Sequence, residues 1–72
     1  SDHTPLQIIN ERILLAARRL LLFSKMTSEE ISFELGFNDP AHFSKFFKQN
    51  IKYSPIIFRK NVLLEQKRKN IQ

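Results

Sequence analysis

Gly36 is the only glycine in this 72-residue chain, and it stands between two helix-start signals. Ahead of it, Thr27-Ser28-Glu29-Glu30 has capping-box spacing: the threonine hydroxyl takes the Glu30 amide while the glutamate reaches back to the Thr27 amide. Ile31 and Leu35 follow, one turn apart on a single face. Beyond it, Asp39-Pro40 opens another helix. Aspartate is a preferred N-cap, and a proline at the first helical position lacks only an N–H that the helix would leave unpartnered anyway. Between the two, Gly36 supplies the positive φ of a helix C-cap. The new helix carries Phe43 and Phe47 on its inward side, which leaves Ala41, His42, Lys45 and Lys48 on its polar side. Two short helices joined this tightly make a helix-turn-helix, in which the second helix enters a DNA major groove by its N-terminal half.

The rest of the chain reads as helix too. Thr4 caps and Pro5 starts a long one, expected over residues 5–24. Ile9, Ile13, Ala16/Ala17, Leu20 and Phe23/Ser24 form its apolar stripe, and Leu14, Leu15, Leu21 and Leu22 widen that stripe beyond what one small unit covers. Short helices are expected over 28–35 and 40–50, and a last one from Pro55 to about Gln66. In that last helix Ile57, Phe58, Val62 and Leu63 or Leu64 return to the core. Residues 1–4 are read as a flexible end and residues 67–72 as a basic tail that frays. Of the phenylalanines, Phe33, Phe37, Phe43, Phe47 and Phe58 are expected in the core, with Phe46 turned toward a partner. The expected fold is all-α: about four helices, with a long helix ahead of a helix-turn-helix unit that has a homeodomain-like core.

Here the residues resemble a known family. G-F-N-D-P-A-H-F-S-K-F-F-K followed by Y-S-P-I-I-F-R is similar to the C-terminal signature of AraC/XylS-type bacterial transcription regulators. R-I-L-L-A-A-R-R-L-L, further upstream, resembles the helix that links that family's two helix-turn-helix units. The resemblance runs from Thr4 to Arg59. It implies sequence-specific binding of double-stranded DNA through the major groove. It also implies that this chain is the C-terminal part of a larger regulator, with an upstream helix-turn-helix unit and a sensor domain outside it. A faint internal echo agrees, since Thr4-Pro5 and Ser54-Pro55 each stand before an apolar run, as if closing one unit. The sequence departs from the family at Lys52, a position usually given to glycine. Either the turn keeps its positive φ at a cost of about 1 kcal/mol, or the recognition helix runs on and the turn differs.

Charge points the same way. The net charge is +5, and it lies in the second half: residues 38–72 hold eight basic side chains against two acidic ones. A positive half that begins with the recognition helix suits a polyanion. Lys45 matches the family's common basic residue and can donate to guanine O6 and N7; His42 projects from the same face. Pro40 and Ala41 offer no hydrogen bonds, though Ala41 can touch a thymine methyl. Ser44, Lys48 and Lys52 suit phosphate contacts that orient without reading sequence. Arg59 matches the family's terminal arginine and is expected in a structural ion pair. Thr27, Gly36 and Asp39 are read as cap and turn residues.

Other functions lack parts. There is no cysteine, so no thiolate metal site or disulfide, and this fits a reducing cytoplasm. No glycine-rich phosphate loop or Ser/His/acid set is present, which argues against an enzyme, and no residue set calls for a cofactor or metal. The longest apolar run, residues 13–23, is broken by Arg18 and Arg19 and does not span a membrane. The alternative reading is a helical protein-interaction or dimerisation module without DNA contact. The broad apolar face of the long helix favours it, and that face offers a surface for self-association through Ile8, Leu15 and Leu22.

Overall fold

The computed structural model describes residues 3–70, in four helices: α1 (Pro5–Phe23), α2 (Ser28–Glu34), α3 (Pro40–Ile51) and α4 (Pro55–Asn70). Each begins on a local signal. Thr4 and Gln7 form a capping box at α1: the Gln7 amide donates to Thr4 Oγ1 at 3.2 Å, and the Thr4 amide donates to Gln7 Oε1 at 2.9 Å. Thr27 and Glu30 repeat the device at α2, at 3.1 and 2.8 Å. Asp39 Oδ1 accepts the Ala41 amide at 2.9 Å at the head of α3, and Ser54 Oγ accepts the Ile57 amide at 3.3 Å at the head of α4. Together these satisfy amides that a bare helix start leaves without partners.

The turn after α2 is a Schellman motif. The Phe37 amide donates to the Ser32 carbonyl at 2.9 Å, and the Gly36 amide donates to the Phe33 carbonyl at 3.1 Å. Gly36 carries the motif at φ +93°, and a Cβ built there would meet nothing within 4 Å. The demand for glycine is therefore torsional, not steric. An L-residue in this conformation costs about 1–2 kcal/mol, more for a β-branched one and less for asparagine. Gly36→Val is accordingly expected to lower the melting temperature by about 4–8 °C per kcal/mol lost, and Gly36→Asn by clearly less. Thermal melts of the two variants that coincide would remove the turn from this account.

α2 packs on α3, α1 packs on α2 and α4, and α3 packs on α4. Their shared core is Leu14, Ala17, Leu21, Ile31, Phe43 and Phe47, ringed by half-buried side chains that include Leu20, Met26, Leu35, Phe37, Phe46 and Phe58. The aromatic rings make one connected path. Phe37 lies 5.4 Å from Phe43 and 5.6 Å from Phe46, Phe43 lies 5.9 Å from Phe47, and Phe47 meets Phe58 edge-on at 5.4 Å.

Several expectations need correction. The buried line of α1 is Leu14, Ala17 and Leu21, whereas Ile9 and Phe23, assigned to the stripe from spacing, stand 54% and 82% exposed. Overlapping stripes share one period, and only the position of α2 and α4 selects between them. Phe46 is half-buried against Phe37, whereas Phe33 on α2, expected in the core, faces outward. Ile57, Leu63 and Leu64 do not return to the core; Phe58 and Val62 cover that side of α4. Helix α4 continues to Asn70, so residues 67–70 are helix rather than a frayed tail, and Arg68 pairs with Glu65 one turn back at 3.6 Å. Thr4 is tied into the α1 cap; Ser1, Asp2, Ile71 and Gln72 lie outside the described residues.

Arg59 makes no ion pair among the described residues. Its Nε donates to the Leu21 carbonyl at 2.9 Å, and its Nη2 donates to the carbonyls of Leu20 at 3.4 Å and Ser24 at 3.3 Å. These carbonyls lie at the C-terminal end of α1, which favours a cation, and the Leu20 carbonyl also accepts from the Ser24 amide and hydroxyl. The contact clamps α4 to the end of α1 and thereby holds the α3–α4 turn in place.

Candidate nucleic-acid interface

Helix α3 divides cleanly along its length. Phe43 and Phe47 are fully buried and anchor the inward side. Ala41, His42, Lys45 and Lys48 are exposed on the outward side, with Pro40 and Ser44 half-exposed beside them. The division follows from spacing: residues four apart share a face, so two buried phenylalanines fix which side of α3 meets water. Lys48 lies in the last turn, where a cation complements the helix dipole.

His42 is more constrained than the other outward side chains. Its amide donates to the Asp39 carbonyl at 3.0 Å, and its ring stands edge-on to Phe37, with centroids 5.4 Å apart at 88°. The residue after the Schellman turn thus orients the first polar side chain of α3. Sequence spacing alone gave no sign of this link.

Lys52 answers the question left open at the end of α3. The helix runs to Ile51, and Lys52 follows at φ +79°, the left-handed C-cap conformation, with its amide donating to the Lys48 carbonyl at 2.8 Å. It is the only non-glycine residue with positive φ among the described residues. Its Nζ lies 3.4 Å from the Gln49 carbonyl, and the side chain is exposed. The turn therefore keeps the geometry a glycine would give it and adds a cation at the end of α3.

Among the described residues no group of three or more metal-ligating side chains converges, and no helix is long and apolar enough to cross a membrane.

A capped helix, a glycine turn and a second helix with an aromatic inner side and a cationic outer side define a helix-turn-helix DNA-binding domain. A family model described as a helix-turn-helix domain matches residues 1–61. Similar curated proteins include the HTH-type transcriptional activators RhaS of Escherichia coli strain K12 / DH10B and strain SE11, each 36% identical over 52 residues. The chain belongs to the AraC/XylS-type helix-turn-helix family, whose members are DNA-binding transcription regulators. The match covers 72% of this chain but 19% of the length of those relatives. No solved structure matches.

Proposed function

We propose that this chain is the C-terminal reading unit of a longer cytoplasmic transcription regulator, and that α3 lies in the major groove of double-stranded DNA. The observation that carries the reading is the division of α3: a buried Phe43/Phe47 side holds the helix rigidly, and every charged side chain within Pro40–Ile51 on the other side is basic. Pro40, Ala41, His42 and Lys45, on the N-terminal half, face the base edges. Ser44, Lys48 and Lys52 meet phosphates. The remaining length of the relatives supports an upstream helix-turn-helix unit and a sensor domain in the whole protein. The open α1 face, with Leu15 and Leu22, receives that upstream unit, and in its absence the same face pairs between copies. The role is recognition rather than catalysis.

The test is a comparison of substitutions on α3. Lys45→Ala is expected to weaken specific binding by about 1–3 kcal/mol and to relax preference at one or two base pairs, whereas Lys48→Ala should weaken specific and random DNA about equally. Fluorescence titrations at several salt concentrations measure both effects. An unchanged ratio of specific to random affinity for Lys45→Ala removes the base-reading role.

Lys52 gives a second, opposed readout. Lys52→Gly relieves left-handed strain worth about 1 kcal/mol and should raise the melting temperature by about 4–8 °C. The same change should reduce the log–log salt slope of DNA binding by about 0.9, the value of one phosphate contact. A more stable variant with an unaltered slope would leave Lys52 as a turn residue only.

A further inference from the structure

Two exposed faces complement one another, and DNA reading uses neither. On α4 the inward side carries Pro55, Phe58, Arg59 and Val62, while Ile56, Leu63 and Leu64 stand 60%, 52% and 58% exposed on the opposite side. Lys60 and Lys67 lie between these aliphatics on the same line, and Lys60, Leu63, Leu64 and Lys67 bound one shallow groove of about 230 Å³. The only acid of α4, Glu65, pairs with Arg68. On α2 the pattern is inverted. Ile31 and Ser32 are buried, Phe33 stands 52% exposed, and Glu29 lies one turn before it on the same side of a helix with no basic residue. Each face belongs to a helix whose other side is packed into the shared core, so one chain's α2 face cannot cover its own α4 face.

We propose that these faces bind each other between copies of the chain, head to tail. Phe33 of one copy seats on Leu63 and Leu64 of the next, with Glu29 against the line of Lys60 and Lys67. Other occupants of the α4 face fit worse. A two-fold pairing of α4 with α4 sets lysine against lysine, which costs affinity. DNA would neutralise the lysines but hold three aliphatics against a polyanion. A membrane surface needs apolar and basic side chains on separate faces, whereas here they alternate along one line. Paired head to tail, the contact repeats from copy to copy, as a ring where the rotation closes and as an open chain where it does not. Each patch is small, so the contact is weak in solution and acts when neighbouring DNA sites line chains up at millimolar effective concentration.

Sedimentation velocity at low salt tests this without DNA. Every chain carries Leu15→Ser, which breaks the apolar α1 face and removes pairing there. The parent is expected to gain average mass with concentration up to about 1 mM, and to lose that gain as salt screens the ion pairs. Phe33→Ser and the double variant Leu63→Ser/Leu64→Ser should each stay monomeric with melting temperatures near the parent's, since all three side chains are more than half exposed. Mixed in equal amounts, the two variants should form pairs and stop there, because only one good face remains on each. A parent that stays monomeric to the same concentration overturns the proposal. So does either variant associating alone as the parent does, a mixture that remains monomeric, or a parent whose association grows with salt.

Discussion

Phe47→Ala is expected to lower the melting temperature by at least about 12 °C, at about 4–8 °C per kcal/mol for a domain of this size. The ring has no solvent exposure and is held between Phe43 at 5.9 Å and Phe58 at 5.4 Å. Truncation of a buried phenylalanine costs about 3–5 kcal/mol through lost transfer energy and the cavity left behind. A 72-residue domain has a total stability of only about 4–11 kcal/mol at the usual 0.05–0.15 kcal/mol per residue, so the loss is a large share of the whole. The consequence reaches the interface, because Phe47 and Phe43 are the fully buried side chains of α3 and turn its cationic side outward. Phe33→Ala is the matched control: the same chemistry on a half-exposed ring of α2 should move the melt by no more than a few degrees. Circular dichroism melts compare them directly. A Phe47→Ala midpoint within a few degrees of the parent's would mean that α3 is not seated by its aromatic side.

The contrast between those two phenylalanines also marks what is legible in such a sequence. Every helix start was readable, because caps are local: Thr27 with Glu30, and Asp39 with Pro40, declare themselves within three residues, and the structure forms the hydrogen bonds their spacing implies. Thr4-Pro5-Leu6-Gln7 carries the same device with glutamine in place of glutamate, and only the Thr4 half of it was read. Helix ends were less legible, since they depend on what lies beyond: α4 runs on past Gln66 although no local signal announces it. The cationic side of α3 followed from two apolar residues at one spacing, because only one choice of face was available. On α1 several choices were available, and spacing picked Ile9 and Phe23 where the fold buries Leu14 and Leu21. Long-range contacts were illegible for the same reason. Nothing near Arg59 says that its guanidinium will cap the carbonyls of a helix 38 residues earlier. The resemblance supplied the family and left these contacts to the structure.

On the proposed reading, extending the chain by an upstream helix-turn-helix unit should raise affinity for a specific DNA site by about 10²- to 10⁴-fold, more than any single substitution on α3 removes. The reasoning starts from the polar inventory of α3. Pro40 and Ala41 bring no side-chain donors, so on the proposed reading the base-reading hydrogen bonds of this unit fall to His42 and Lys45, and lysine discriminates less than the fork of an arginine. A second reading head tethered to the first binds at a high effective concentration and adds its own phosphate contacts. On the same reading it packs on the open side of α1. Ile8, Leu15 and Leu22 are exposed along α1, and Arg12, Leu15, Ala16, Arg19, Leu20, Glu34 and Leu35 border an open groove beside α2. A unit packed there would be held at a fixed distance from α3, so the linkage would act as a rigid spacer whose geometry selects the separation of two half-sites. Insertion of five base pairs between those half-sites should then return the longer protein to about the affinity of this chain alone, because half a helical turn puts the second head on the wrong face of the duplex. Titrations of both proteins on both DNA duplexes measure the effect. Equal affinities for the short and the long protein, or indifference to the insertion, would mean that α1 is not a rigid bridge between two heads.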